Sequence, residues 1–394
     1  MQRVERHIII GNKELDRICF LSKNLYNYVN YLIRQEFTQN GKMLSEYELT
    51  AKLAKEKQVD YILLPVQSSQ QIIKLLFKNW KSFFKLCKTK DKLNGRPKLP
   101  KYKHKERGRN IVVFTNQQCK LKDGYIHFPK KANIKPLKTK VDNLCQVRIV
   151  PQSSCHIIEV VYEKESIETT ELEPDSYLSI DLGLNNLVTS YDSLNHKSFI
   201  VNGKVLKSIN QYYNKKKATL MSYIGGKGIS KRINKLTLKR NCKMSDYMHK
   251  TSRFIINYCI ENRIETIVIG NNKDWKQNCN MGKRNNQNFV SIPFEKLISQ
   301  IQYKSEEVGI KVIITEESYT SKIDHYAGEE MCYHDTYLGK RIKRGLFRSR
   351  TGKILNADLN GAIGILRKVS DESFKRIVSI GAVETPTIVL GVGL

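Results

Sequence analysis

Ser179-Ile180-Asp181-Leu182-Gly183-Leu184-Asn185-Asn186-Leu187 decides how the rest of the chain is read. An apolar run that ends in a carboxylate and then a glycine predicts a central strand closing in a tight turn. Glycine suits that turn, because a side chain there would block the backbone or an approaching phosphate. Asp-x-Gly also ends ordinary strands, so the reading depends on two further stretches. Asn356-Ala357-Asp358-Leu359-Asn360-Gly361-Ala362 opens a helical run and brings a second acid. Thr315-Glu316-Glu317-Ser318-Tyr319-Thr320-Ser321-Lys322 follows the apolar strand Lys311-Val312-Ile313-Ile314 and brings a third. Two carboxylates at strand ends and one at a helix start form the donor set of a two-metal phosphodiester site.

Composition narrows the partners. The 394 residues carry 68 Lys and Arg against 38 Asp and Glu, a formal charge of +30. A surface that positive repels itself unless it meets a polyanion. No apolar run reaches the roughly 18 residues of a spanning helix, so a membrane is not the expected partner. No signal-peptide pattern opens the chain: Met1 to Arg6 lead only into the short apolar run His7 to Ile10. The nine cysteines are scattered and never form a Cys-x-x-Cys pair, which predicts reduced thiols in a cytosolic protein, prokaryotic by the family resemblance described next.

The order of these motifs, with the strand Ile267-Val268-Ile269-Gly270 between the first and the last two, resembles the RuvC-type nuclease domain of the TnpB family. Those proteins are transposon-encoded, RNA-guided DNA endonucleases related to type V CRISPR effectors. The resemblance covers nearly the whole chain and is carried most specifically by Tyr319 to Lys322 and Asn356 to Ala362. It implies a mixed α/β fold, with an RNase H-like RuvC domain, an N-terminal wedge-like β-barrel and an inserted helical lobe. It also implies a transposon-derived guide RNA, a double-stranded DNA target, and two Mg²⁺ ions held by Asp181, Glu317 and Asp358.

Two departures from the family pattern bear on that assignment. The strand ending at Gly270 ends in a metal-binding glutamate in the better-known pattern, and glycine cannot ligate. The adjacent strand supplies Glu316-Glu317 instead. Alternation sends these two side chains to opposite faces, so one alone can serve. Glu317 fits the motif position two before Tyr319, with Glu316 as the alternative. Many relatives also carry four zinc-binding cysteines between Ser321 and Gly352, where this chain has Cys332, His325 and His334. A lone cysteine with scattered histidines is a poor zinc site, so no structural zinc is expected.

The flanking segments complete the organisation. Residues 1–10 and 95–165 are expected to form the barrel, from strands near 3–10, 111–114, 124–128, 146–150 and 156–162. Residues 11–94 are expected to form the helical lobe, whose stripe Phe77, Trp80 and Phe84 reads as helix core. Gln70 and Gln71, beside Gln67, Ser68 and Ser69, suit the first turn of a helix or contacts with base edges. The cationic stretch holding Arg96, Lys98, Lys101, Tyr102, Lys103 and Arg107 reads as a solvated linker by composition, and as a phosphate-contacting strip by resemblance. The nuclease domain is expected over 176–369, with a helical insert at 205–262 and a target-loading segment at 321–352, mobile when ligand-free. There Lys340, Arg341, Lys343 and Arg344 suit holding a nucleic-acid strand. Residues 370–394 read as a tail. Two other functions remain open at this level: a guided DNA-binding protein that has lost cleavage, which Gly270 favours, and a transposase.

Overall fold

The computed structural model describes residues 1–90, 95–165, 171–272, 291–343, 345–370 and 386–389. It divides into two units, Met1–Lys164 and Glu165–Leu394.

The first unit opens with strand β1 (Gln2–Ile9), followed by helices α1 (Lys13–Asn40), α2 (Glu46–Lys55), α3 (Val59–Ile62) and α4 (Val66–Lys88). Asn12 caps α1 by accepting from the Leu15 amide at 3.0 Å, and Gly41 stops it in a left-handed conformation. Six strands follow: β2 (Val112–Thr115), β3 (Lys120–Lys122), β4 (Tyr125–His127), β5 (Leu137–Lys138), β6 (Leu144–Pro151) and β7 (His156–Glu163). The expected barrel strands are hydrogen-bonded as two antiparallel sheets, ordered β1-β7-β6-β2 and β3-β4-β5. Leu76, Phe77 and Trp80 of α4 are buried against α1 and the sheet, so the aromatic stripe is core.

The second unit is organised by β8 (Glu173–Leu182), which carries the stretch quoted at the outset. After it come β9 (Asn186–Asp192), β10 (Ser198–Asn202), α5 (Lys204–Ser222), α6 (Lys231–Glu261), β11 (Ile264–Gly270), α7 (Phe294–Glu307) and β12 (Lys311–Thr315). A small antiparallel sheet, β13 (Lys340–Lys343), β14 (Leu346–Arg348) and β15 (Ile354–Asn356), leads into α8 (Ala357–Val369). The last described strand is β16 (Thr387–Val389).

The main sheet runs β12-β11-β8-β9-β10-β16. β8, β9 and β10 form an antiparallel meander, while β11 and β12 join β8 in parallel. β11 is buried almost throughout, as a strand covered on both faces must be. Leu178, Ile180 and Leu182 of β8 join the core formed with α6 and α7. The alternate residues, Ser179 and Asp181, therefore face the other side, which α8 covers. β16 pairs in parallel with β10, so residues read from sequence as a plain tail include an edge strand.

Candidate active site

Asp181 lies one residue from the end of β8, paired with Thr189 across the meander. A β-carbon on Gly361 of α8 would lie 2.8 Å from an Asp181 carboxylate oxygen, so any side chain there would displace that carboxylate. Burial pushes the Asp181 carboxyl well above the usual range, and the negative charges of Glu317 and Asp358 push it the same way. Arg341 and the Leu182 amide act in the opposite sense. Two acids from other elements thus act on the strand-end carboxylate.

Glu317 follows β12 by two residues. Its amide donates to the Asn272 side chain at 2.9 Å, and its carbonyl accepts from the Thr320 hydroxyl at 2.9 Å. These bonds fix the backbone from both sides and turn the side chain inward. A β-carbon on Gly270 would lie 2.6 Å from both Cγ and Oε1 of Glu317, and 2.5 Å from Ile365 Cδ1. The Glu317 side chain therefore occupies the space directly over the strand end where a side chain on residue 270 would begin. Burial lifts its carboxyl to about 7, with Lys368 opposing, and its Oε1 is buried without a hydrogen-bond partner. Glu316 is different: its side chain is 67% exposed, is 3.9 Å from Lys368 Nζ and accepts from the Ser318 hydroxyl.

Asp358 stands in the first turn of α8. Asn356 is the cap, accepting from the amides of Asp358 at 2.8 Å and Leu359 at 3.3 Å, so Asp358 is spared that role. Its carboxylate accepts instead from Asn186 Nδ2 at 2.7 Å. Both asparagines of the motif are thereby assigned: Asn356 caps, and Asn360, fully buried, donates to the Ile323 carbonyl at 2.9 Å. Asn186 was quoted in the opening stretch with no role attached. The signal was its position at the start of β9, just past the turn that follows Asp181, but its partner lies 172 residues away.

The segment after Glu317 is held by buried polar groups. Asp324 accepts from Ser349 Oγ at 2.8 Å and from the Arg350 amide at 2.6 Å. Glu329 accepts from the amides of Asp324 and Leu338, and His325 Nε2 bonds the Thr320 carbonyl at 2.8 Å. Cys332 Sγ and His334 Nε2 are 3.4 Å apart. Lys340, Arg341 and Lys343 lie exposed on β13, and Arg344 is outside the described residues.

In the first unit, the cationic stretch is pinned by its backbone to α1. Asn27 bonds both the amide and the carbonyl of Lys103, at 2.8 and 2.9 Å. Asn30 and Arg34 donate to the Pro100 carbonyl, Lys23 donates to the Lys105 carbonyl at 2.6 Å, and Trp80 donates to Asn30 at 3.1 Å. The side chains of Arg96, Lys98, Lys101, Tyr102, Lys103 and Arg107 remain exposed, with the Arg34 guanidinium stacked 4.6 Å from the Tyr102 ring. Gln70 is exposed and Gln71 half-buried on α4; neighbouring Gln67 and Ser68 are spent on Gln117 and Gln118.

Could Asp181, Glu317 and Asp358 hold a cation? Among the described residues no three acid, His or Cys side chains converge to coordination distance as they are arranged. The donor set still fits a hard divalent ion: carboxylate oxygens only, a partnerless buried Oε1, and two carboxyls whose burial disfavours the ionised form more than the nearby cations favour it.

Fold and site together define a mixed α/β protein with an RNase H-like sheet and three acids gathered around β8. Comparisons with known proteins agree. A family model described as "Probable transposase" (OrfB_IS605) matches residues 159–276, and one described as "Cas12f1-like, TNB domain" matches 294–365. The TnpB-like protein ORF457 of Acidianus two-tailed virus is 24% identical over 90% of this chain and 83% of its own. The CRISPR-associated endodeoxyribonuclease Cas12f1 of Sulfoacidibacillus thermotolerans is 27% identical over 53% of this chain and 50% of its own. The structure of a Cas12f1-sgRNA-target DNA complex superposes with a TM-score of 0.53 at 14% identity, covering 89% of this chain and 81% of that one. The chain is thus a relative of TnpB-like proteins and shares its fold with Cas12f1. Among the described residues no helix is long and apolar enough to cross a membrane.

Proposed function

We propose that this protein is an RNA-guided DNA endonuclease of the TnpB type, cutting by divalent-metal-assisted hydrolysis next to a short flanking motif. The observation that carries the proposal is the Glu317 side chain lying over Gly270, beside Asp181 and on the same face as Asp358. A chain that had lost its nuclease through Gly270 would have no reason to retain a buried, partnerless carboxylate in that space. The relatives support the partners: one is named an endodeoxyribonuclease and another was solved with a guide RNA and target DNA.

In this reading Asp181, Glu317 and Asp358 hold the divalent ions, Mg²⁺ by their all-oxygen character. When bound, such ions activate water and stabilise the charge of the leaving 3′ oxygen. The chain itself supplies orientation. Asn186 fixes one Asp358 oxygen, the Asn272 and Thr320 bonds fix Glu317, and Gly361 brings α8 against Asp181. Arg341, close enough to act on the Asp181 charge, is placed to meet a phosphate. The exposed cations of residues 96–107 offer a strip for nucleic-acid backbone, while base pairing with the guide reads sequence. Substituting Asp181→Ala or Asp358→Ala should abolish cutting of guide-matched DNA and spare its binding. Retained cutting by either variant would refute the assignment.

A further inference from the structure

Thr189 stands on β9 directly across the ladder from Asp181. Residues opposed in this way share a face of the sheet, with β-carbons about 4.5–5.5 Å apart. That face is the one α8 covers, since Gly361 of α8 packs on the Asp181 carboxylate. Two residues further along β9, Tyr191 joins the apolar core formed with Ala362, Ile363 and Leu366 of α8. Val188 lies on the alternate side and packs with Leu182 in the core shared with α6 and α7. Thr189 therefore falls where the core beneath α8 gives way to the acids. It is 1% exposed, and among the described residues its Oγ1 has no hydrogen-bond partner.

A threonine in a strand is ordinarily there for its branched β-carbon, and valine would serve that purpose as well. The hydroxyl is what differs, and burying it without a bond costs free energy. The neighbouring hydroxyls avoid that cost. Ser179 Oγ donates to the Tyr191 carbonyl at 3.4 Å, and Ser190 Oγ to the Phe199 carbonyl at 3.2 Å. The acids show the complementary shortage. Asp358 accepts from Asn186 at 2.7 Å, and Glu317 is fixed through its backbone bonds to Asn272 and Thr320. Asp181 takes its hydrogen bond from the Leu182 amide, and no side chain among the described residues donates to it. A buried donor with nothing to bond and a carboxylate with no side-chain donor thus sit one ladder step apart.

We infer that Thr189 is a positioning residue of the acid site, its hydroxyl donating to the Asp181 carboxylate in the cation-loaded protein. This deepens the proposed nuclease reading and rests on it in taking Asp181 as a cation ligand. At such a β-carbon separation a hydroxyl and a carboxylate meet through side-chain torsions alone, with no movement of the backbone. Asn186 lies three residues earlier on the same strand. β9 then orients two of the three acids, Asp358 through Asn186 and Asp181 through Thr189.

The test uses the full chain, freed of metal and nucleic acid, with Thr189→Val and Thr189→Ser beside the wild type. Mn²⁺ is titrated and followed by electron paramagnetic resonance, and Tm is measured without the ion. Thr189→Val keeps the shape and removes the donor, so its Mn²⁺ affinity should fall about tenfold, as for other partners of metal ligands. Its cation-free Tm should equal or exceed that of the wild type, because an unbonded hydroxyl has gone. Thr189→Ser keeps the donor and should bind Mn²⁺ as the wild type does. Three results would each overturn the inference and leave the acid assignment standing: unchanged affinity in Thr189→Val, an equal loss in Thr189→Ser, or a cation-free Tm lowered by Thr189→Val. Failure of the wild type itself to bind Mn²⁺ would instead overturn the metal reading of Asp181, and the role of Thr189 with it.

Discussion

Glu317 fills the space that a side chain on Gly270 would need. Its Cγ and Oε1 each stand 2.6 Å from where a β-carbon on that glycine would lie. Gly270 ends β11, and Glu317 follows the neighbouring parallel strand β12, with Gly270 opposite Thr315, two residues before Glu317. The glycine and the glutamate therefore form one device: a bare strand end and the carboxylate that reaches over it.

Gly270→Ala should accordingly be far from conservative. The added methyl would meet Glu317 and Ile365 at 2.5 to 2.6 Å, so at least one of these side chains must shift. Overpacking of this kind costs about 1–3 kcal/mol. The expected outcome is a lowered Tm and a loss of cleavage larger than the loss of target binding. Wild-type cleavage by Gly270→Ala would show that Glu317 does not need this position.

Asn186→Ala should weaken cation binding without disturbing the fold. Its amide is the group that holds an Asp358 oxygen, at 2.7 Å. Partners that orient metal ligands are typically worth 10–100-fold in metal affinity. A Mn²⁺ titration followed by electron paramagnetic resonance should show a shift of about that size, and the target-binding constant should stay put.

Divalent cations should stabilise the protein against heat. Burial raises the Asp181 and Glu317 carboxyls against the opposing charges of Arg341 and Lys368, so a bound cation would add the charge that their ionised forms still need. A cation bound by the folded state alone adds about 2.7 kcal/mol at one hundred times its Kd. The rise in Tm should be greater above pH 7, where Glu317 is ionised, than well below it, and should vanish in Asp181→Ala. Scanning calorimetry with and without Mg²⁺ checks both points.

His325 should make the loop behind Glu317 acid-sensitive. Burial holds its imidazole down to about 4, with the Thr320 carbonyl bond opposing, against 6.5 for an ordinary histidine. Between these values the unfolded chain binds the proton and the folded chain does not, so stability falls as pH drops from 6.5 through 4. The ceiling on this effect is about 3 kcal/mol. His325→Gln keeps a donor for Thr320 and should flatten the dependence of Tm on pH over that window.

How much of this was legible in the sequence follows from how local each feature is. β8, β9, β10, β11 and β12 were readable because each is a short apolar run bounded by turn residues. The insert is helical, as expected, and consists of α5 and α6 on either side of Gly225 to Gly228. The choice of Glu317 over Glu316 was argued from motif spacing; the inward and outward directions of the two side chains come from bonds to Asn272 and Ser318 that spacing does not encode. Residues 96–107 looked like a linker because their anchors, Asn27, Asn30 and Arg34, lie some 66 to 76 positions earlier. Asn186 was overlooked for the same reason. Long-range polar pairs leave no periodicity, and β16 was hidden in a tail whose pairing with β10 depends on the whole intervening domain.

The most direct test is cleavage of a guide-matched plasmid with a randomised flank, by the protein purified with RNA from its own locus, in Mg²⁺. Glu317→Ala is run beside the wild type. The expected result is cutting by the wild type beside a defined flanking motif, no cutting by Glu317→Ala, and equal target binding by both. Tight, motif-dependent binding with no cutting by the wild type would contradict it and mark Gly270 as the scar of a lost nuclease.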